Sequence, residues 1–147
     1  MTPDSISLAA VHEVRDSCLC LATQRAARRL ARRFDRAFQP VGLTNQQFSM
    51  MMALNAPERP TIGGLADFLA MDRTTVTAAV RALERRGLVE ARSDPADKRI
   101  RRIGLADAGR AALAEALPIW RAEHARIEAE TTPAGADALR MALRPIV

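Results

Sequence analysis

Residues 61–105 read TIGGLADFLA MDRTTVTAAV RALERRGLVE ARSDPADKRI RRIGL, and the punctuation of this stretch decides the fold. Thr61 stands at an N-cap position ahead of the apolar set Ile62, Leu65, Phe68 and Leu69, so it opens a short helix. After the tight connection Ala70-Met71, Asp72 caps a second helix whose apolar stripe is Val76, Val80 and Leu83. Gly87-Leu88 is a stop signal: glycine takes a left-handed conformation cheaply, and the apolar residue after it packs back. Two strand-like segments follow, Leu88–Ser93 and Arg101–Leu105, with the turn chemistry Asp94-Pro-Ala-Asp97 between them. Helix, tight turn, helix and hairpin make a winged helix-turn-helix.

The flanks read as helix. Leu8 to Phe38 holds neither Gly nor Pro and predicts one long helix, with Leu8, Val11, Val14, Cys18 and Leu21 on one stripe. A second stripe runs Ala22, Ala26, Leu30, Phe34 and Phe38. Thr44 and Gln47 form a capping box that opens a helix through Asn55, with Phe48, Met51, Met52 and Leu54 as core. Beyond the wing, Leu113, Leu117, Trp120, His124 and Ile127 repeat at a seam spacing, and Pro118 should bend that run. Thr132-Pro133 is a cap plus N1 proline for a last short helix. The expected fold is mainly α with a small β-hairpin wing, in the order α-α-α-α-β-β-α-α. Residues 41–106 form the winged domain, and residues 1–40 and 107–147 form a helical dimerisation region.

Charge points to a polyanion. The net charge is +5 over 147 residues, but it is concentrated. Residues 21–40 carry six Arg against one Asp, and residues 73–102 carry nine basic side chains against four acidic ones. A localised basic block is the electrostatic footprint of a nucleic-acid surface. On the helix after Asp72, the face opposite the apolar stripe presents Arg73, Thr74, Thr77 and Arg81, side chains that reach base edges or phosphates from a major groove. Glu84 at the far end of that face is placed to pair with a neighbouring Arg. Thr61, at a helix N-terminus, either places backbone N–H groups against a phosphate or is a plain cap. The arginines of the first block ring the end of a long helix and read as solvated, or paired with acids near Glu115, Glu123 and Glu128.

The stretch from about Cys18 to Ile127 resembles the MarR family of bacterial regulators. The matching residues are Leu65-Ala66-Asp67, Met71 to Thr77, and Leu83 to Val89. The most specific piece is Asp97-Lys-Arg99 followed by Leu105 and Gly109, where family members read Asp-x-Arg and then Leu-Thr-x-x-Gly. Ala106 replaces that Thr, which should shift the helix cap to Asp107. The resemblance implies that Asp72–Arg81, including Thr75, is the recognition helix. It implies that Arg99 is a wing arginine entering the minor groove, steadied by Asp97, with Lys98, Arg101 and Arg102 on phosphates. It also implies double-stranded DNA as partner and a homodimer built from the first helix and the last two.

Two release routes follow from the same resemblance. Leu19-Cys20-Leu21-Ala22 is similar to the N-terminal segment of the family's organic-hydroperoxide sensors, which would make Cys20 the redox residue. The chain has no Tyr to hydrogen-bond a thiolate, which weighs against that route. Cys18 shares a stripe with Val14 and Leu21 and reads as core. Two residues apart on one undistorted helix, Cys18 and Cys20 diverge and neither pair nor chelate. The other route is an aromatic or phenolic effector in a pocket lined by Met51, Met52, Trp120 and His124, each of which also reads as plain core. The leading expectation is a repressor on a palindromic operator, set against a structural protein that coats DNA. An enzyme is disfavoured: His12 and His124 are the only histidines, and there is no paired metal spacing, Gly-rich phosphate loop or nucleophile elbow. No cofactor is implied. No basic run leads into an apolar one near Met1, and no stretch nears the ~20 apolar residues of a membrane span, so the expected location is cytoplasmic.

Overall fold

The computed structural model describes residues 5–131 and 135–147. Its elements are α1 (Leu8–Ser17), α2 (Leu19–Ala37), α3 (Asn45–Leu54), α4 (Ile62–Leu69), α5 (Arg73–Arg85), β1 (Val89–Ser93), β2 (Arg101–Leu105), α6 (Asp107–Glu130) and α7 (Gly135–Leu143). Short 3₁₀ turns follow at Gln39–Val41 and Arg144–Ile146. The fold is mainly helical with one antiparallel hairpin, the winged helix-turn-helix architecture. The Thr132-Pro133 cap lies outside the described residues.

Local chemistry sets the boundaries. The Thr44 capping box is complete: its hydroxyl accepts from Gln47 N–H at 3.1 Å, and the Gln47 side chain accepts from Thr44 N–H at 3.0 Å. Gly87 at φ +71° ends α5 with paired bonds, Gly87 N–H to Glu84 C=O and Leu88 N–H to Leu83 C=O. The hairpin register pairs Val89 with Leu105 and Ser93 with Arg101. A third run of backbone joins its other edge, because Ile103 N–H donates to Pro60 C=O at 2.9 Å.

The core lies where α2, α3, α4, α5, β2 and α6 converge. Phe38, Met50, Met51, Val76 and Leu83 are fully buried there. An aromatic ladder crosses it from α2 to α6. Phe38 stacks on Phe48 with centroids 4.7 Å apart, Phe48 faces Trp120 at 6.5 Å, and Trp120 stacks on His124 at 4.6 Å. Such pairs add about 0.5–1.5 kcal/mol each beyond area burial, so the helical flank and the winged domain share one core.

Several expectations are corrected. The first helix is two helices, broken at Cys18, which sits in extended conformation and caps α2 through Sγ, accepting from Leu21 N–H at 3.4 Å. Cys18 is therefore a half-buried junction residue rather than core. No residue of α1 is buried, and Leu8, Val11 and Val14 are more than half exposed. Met50, not Met52, takes the core position on α3, where Phe48, Met50, Met51 and Leu54 are buried. Phe68 points outward, 73% exposed. Asp107 does not cap α6: Ala106 is the N-cap without a side-chain bond, and Asp107 is turned to Arg110. Pro118, expected to bend this run, lies inside α6, which continues through it as one helix.

Candidate nucleic-acid interface

Val76, Val80 and Leu83 anchor α5 to the core, which turns Arg73, Thr74, Ala78 and Arg81 to solvent. Thirteen residues span about 20 Å, and a major groove about 12 Å wide admits such a helix. Two capping groups hold its N-terminus. The Asp72 carboxylate accepts from Thr75 N–H at 2.8 Å and from the Thr75 hydroxyl. That hydroxyl, followed by the backbone N–H, holds the Asp72 carboxyl below the usual carboxylate range. Thr77 is half-buried and returns its hydroxyl to Arg73 C=O at 2.7 Å. The free polar groups of this face are thus Arg73, Thr74 and Arg81, while Asp72 and Thr75 fix the helix start.

α4 approaches the same face. Thr61 caps it, its hydroxyl accepting from Gly64 N–H at 3.1 Å. A Cβ at Gly63 would stand 3.0 Å from Arg73 Nη2, so the guanidinium lies over a bare stretch of helix. Arg73 and the α4 N-terminus together present positive charge and backbone N–H groups to one point on the surface. The turn between α4 and α5 places Ala70 at φ 52°, a left-handed conformation that costs a non-glycine residue about 1–2 kcal/mol.

The wing is a chain of ion pairs. Asp94 Oδ1 accepts from Ala96 and Asp97 N–H at 2.8 and 3.2 Å, which closes the tip. Its Oδ2 takes Arg102 Nε at 2.7 Å. Arg102, followed by those two N–H groups, holds the Asp94 carboxyl below its ordinary value. Asp97 grips Arg99 through both carboxylate oxygens at 3.1 Å, and yet the Arg99 side chain is 91% exposed. Arg99 is therefore presented rather than buried, and it holds the Asp97 carboxyl low in the same way. Lys98 is exposed; Arg101 stands 3.7 Å from Glu84. Arg102 donates to Asp94 and to Arg59 C=O, which ties β2 to the loop before α4.

The first basic block splits. Arg33 pairs with Glu123 at 2.8 Å and with Glu130, and these carboxylates raise its pKa, Glu130 the more strongly. Glu128 instead takes Arg140. Arg25, Arg28, Arg29, Arg32 and Arg36 lie exposed along α2.

Two clefts divide the effector candidates. Met52 and Trp120 line one of about 370 Å³ with Phe48, Phe68 and Leu117, between the winged domain and α6. His124 lines a larger one of about 710 Å³ under α2 and α7, floored by Leu30, Ile127 and Leu139. Met51 lines neither, being fully buried. Phe68 was the residue missed here: its 3–4 spacing on α4 matched core, and only the packing shows it facing the cleft. Cys20 is exposed on α2, and its Sγ accepts from Gln24 Nε2 at 3.0 Å. Because the helix breaks at Cys18, the two thiols are not fixed 200° apart as one straight helix would require. Among the described residues no cluster of three His, Cys, Asp or Glu could hold a metal, and no helix is long and apolar enough to cross a membrane.

A capped helix turned outward beside an arginine-tipped hairpin defines a winged-helix DNA-binding protein. Residues 41–100 match the model of the MarR family. The M. tuberculosis transcriptional regulator MosR, solved in complex with DNA, superposes with a TM-score of 0.80 at 36% identity, covering 88% of this chain and 93% of that one. Bordetella bronchiseptica BpsR, a protein whose DNA binding is regulated by 6-hydroxynicotinic acid, gives 0.78 at 25% identity, covering 88% and 93%. The transcriptional activatory protein BadR of Rhodopseudomonas palustris is 33% identical over 78 residues, 51% of this chain; the match spans 45% of BadR, under half its length. The chain belongs to the MarR family.

Proposed function

We propose that the protein is a homodimeric transcriptional repressor that binds a palindromic operator and is released by a small aromatic acid or phenol. The observation that carries this is the exposure of Arg73, Thr74 and Arg81 on α5 and of Arg99 on the wing, whose Arg101 stands 3.7 Å from Glu84 of α5. α5 enters a major groove; Arg99 enters the flanking minor groove, where an arginine responds to width and negative potential. Lys98 and Arg101 lie on phosphates, as do the N–H groups that Thr61 starts. Asp72 and Thr75 act by fixing the helix, since a carboxylate at the surface would repel the backbone of DNA.

Dimerisation is supported by the exposed apolar residues toward both ends of the chain: Leu8, Val11 and Val14 on α1, with Leu139 and Met141 on α7. Patches of this kind on a small protein mark an interface. The division into residues 41–106 for DNA and residues 1–40 and 107–147 for the dimer follows. The effector site is the cleft of Met52, Phe68, Leu117 and Trp120, whose aromatic walls suit a planar ring and whose place between α4 and α6 couples occupancy to the angle of the winged domain. Genomic footprinting with purified protein, repeated with a panel of aromatic acids, tests the reading. One protected palindrome that an aromatic acid clears supports it; uniform coating would make this a structural DNA-binding protein.

The exposure of Cys20 and its amide donor Gln24 favour a second reading, in which oxidation of Cys20 releases DNA. Peroxide should then release the wild type but not Cys20→Ser. Release of both would leave the ligand route.

A further inference from the structure

Arg59 stands in the loop before α4, two residues ahead of the Thr61 cap, and its surroundings are unusual. Its guanidinium lies flat on β2 at Gly104: a Cβ there would come within 2.7 Å of Nε and 2.8 Å of Cζ. Glycine inside a strand marks such a close approach. Gly104 is buried and faces Glu90 across the hairpin, and Arg59 Nη2 reaches over it to Glu90 Oε1 at 2.7 Å. Arg59 C=O accepts from Arg102 Nη1 at 3.3 Å, and the next carbonyl, Pro60, accepts from Ile103 N–H. Arg92 and Arg102 are directly opposite in register, a like-charge pair that would splay the hairpin. They are drawn apart because Arg92 turns to Glu90 and Arg102 to Asp94.

We propose that Arg59, seated on Gly104, is the positioning residue of the wing, and that Arg102 and Asp94 carry its placement to Arg99. The sequence of bonds is continuous. Arg59 grips Glu90 on β1 and, by its carbonyl, Arg102 on β2; Arg102 holds Asp94; Asp94 closes the tip through Ala96 and Asp97; Asp97 aims Arg99. A two-stranded hairpin alone is marginal in water, so a fixed direction for Arg99 needs an anchor from outside it. Arg59 supplies one from the loop that also leads into α4, which ties the wing to the helix pair it works beside. The inference rests on the reading that Arg99 senses DNA.

Gly104→Ala tests it without touching any surface that meets DNA. The clash falls on the far end of a flexible side chain, so Arg59 is displaced while the hairpin stays paired. Two readouts are taken: amide exchange at Ala96, Asp97 and Arg99 in the free protein, and the ratio of affinities for an operator with A/T-rich and with G/C-rich flanks. Gly104→Ala should speed exchange about tenfold, the loss of one charge-assisted hydrogen bond, and bring the flank ratio down toward that of Arg99→Ala. Arg59→Ala should do the same by deletion rather than crowding, and Gly104→Ala should add nothing in that background. Exchange unchanged in both single variants overturns the anchor. So does faster exchange with an unaltered flank ratio, given that Arg99→Ala does alter it, and so do effects that simply add in the double variant. An unaltered ratio in Arg99→Ala itself instead refutes the wing's role in DNA recognition, and the anchor is then judged by exchange alone.

Discussion

Gly109 sits in the first turn of α6, where alanine would ordinarily help a helix by up to about 1 kcal/mol. The surroundings reverse that expectation. A Cβ at Gly109 would lie 2.0 Å from the Leu88 carbonyl oxygen and 3.0 Å from its carbon, both backbone atoms. Leu88 would have to retreat by more than an ångström, yet it is held by its bond to Leu83 C=O and accepts from Ala106 N–H at 3.1 Å. Overpacking costs about 1–3 kcal/mol, and the orphaned buried carbonyl about 1–3 more. After the helix gain the net loss for Gly109→Ala is about 1–5 kcal/mol, which for a chain of this length lowers Tm by roughly 2–20 °C. Thermal unfolding at matched protein concentration reads it directly. Gly87→Ala is the control: its cost is the left-handed φ of +71° alone, since nothing lies within 4 Å, so it should lose only about 1–2 kcal/mol. A Gly109→Ala protein as stable as wild type would refute the close seating of α6 against Leu88 at the end of α5.

Other expectations follow from the interface. Arg73→Ala or Arg81→Ala should cost about 1–3 kcal/mol on the operator if either bonds a base edge, and much less on random DNA; equal losses in a gel shift would make both phosphate contacts. Asp72, Asp94 and Asp97 are all held below the ordinary carboxyl range by their hydrogen-bond donors. Depressed values stabilise the fold above the unfolded pKa of about 3.9 and lose that contribution as pH falls toward the folded values. The urea midpoint should therefore hold from pH 8 to 5 and drop below about pH 4, less steeply in Asp94→Asn; a fall that begins near pH 6 would contradict this. Sedimentation should show a dimer, with half-site centres about 10 bp apart on DNA, and truncation near Ala112 should lose the dimer and most operator affinity. A monomer as tight on one half-site as on the full operator would argue against it.

How much of this was readable from the residues depends on how local each cause is. Caps and turns are short-range chemistry, so Thr44 with Gln47, Thr61, Asp72 and Gly87 mark their helix ends in the sequence itself. The Asp97–Arg99 pair came from the family resemblance, and the structure has the two side chains bonded. The break at Cys18 was not, because no Gly or Pro signals it and cysteine capping is rare. Periodicity misplaced Met52 and Phe68, since spacing reports one face of a helix but not whether that face meets the core or a cleft. Gly104 was a missed signal: a lone glycine within a strand points to a close neighbour, but which residue fills the gap comes only from the fold. The same holds for Arg102, whose bonds to Asp94 and to Arg59 C=O come only from the fold.

The central claim is that α5 and the wing together read a sequence rather than merely bind a polyanion. The most direct measurement is the ratio of affinities of the wild-type protein for its footprinted palindrome and for a scrambled duplex of equal length, at physiological salt. Specific recognition through base edges and groove shape predicts a ratio of about a thousand or more. A ratio near one, with the same salt dependence on both duplexes, would contradict it.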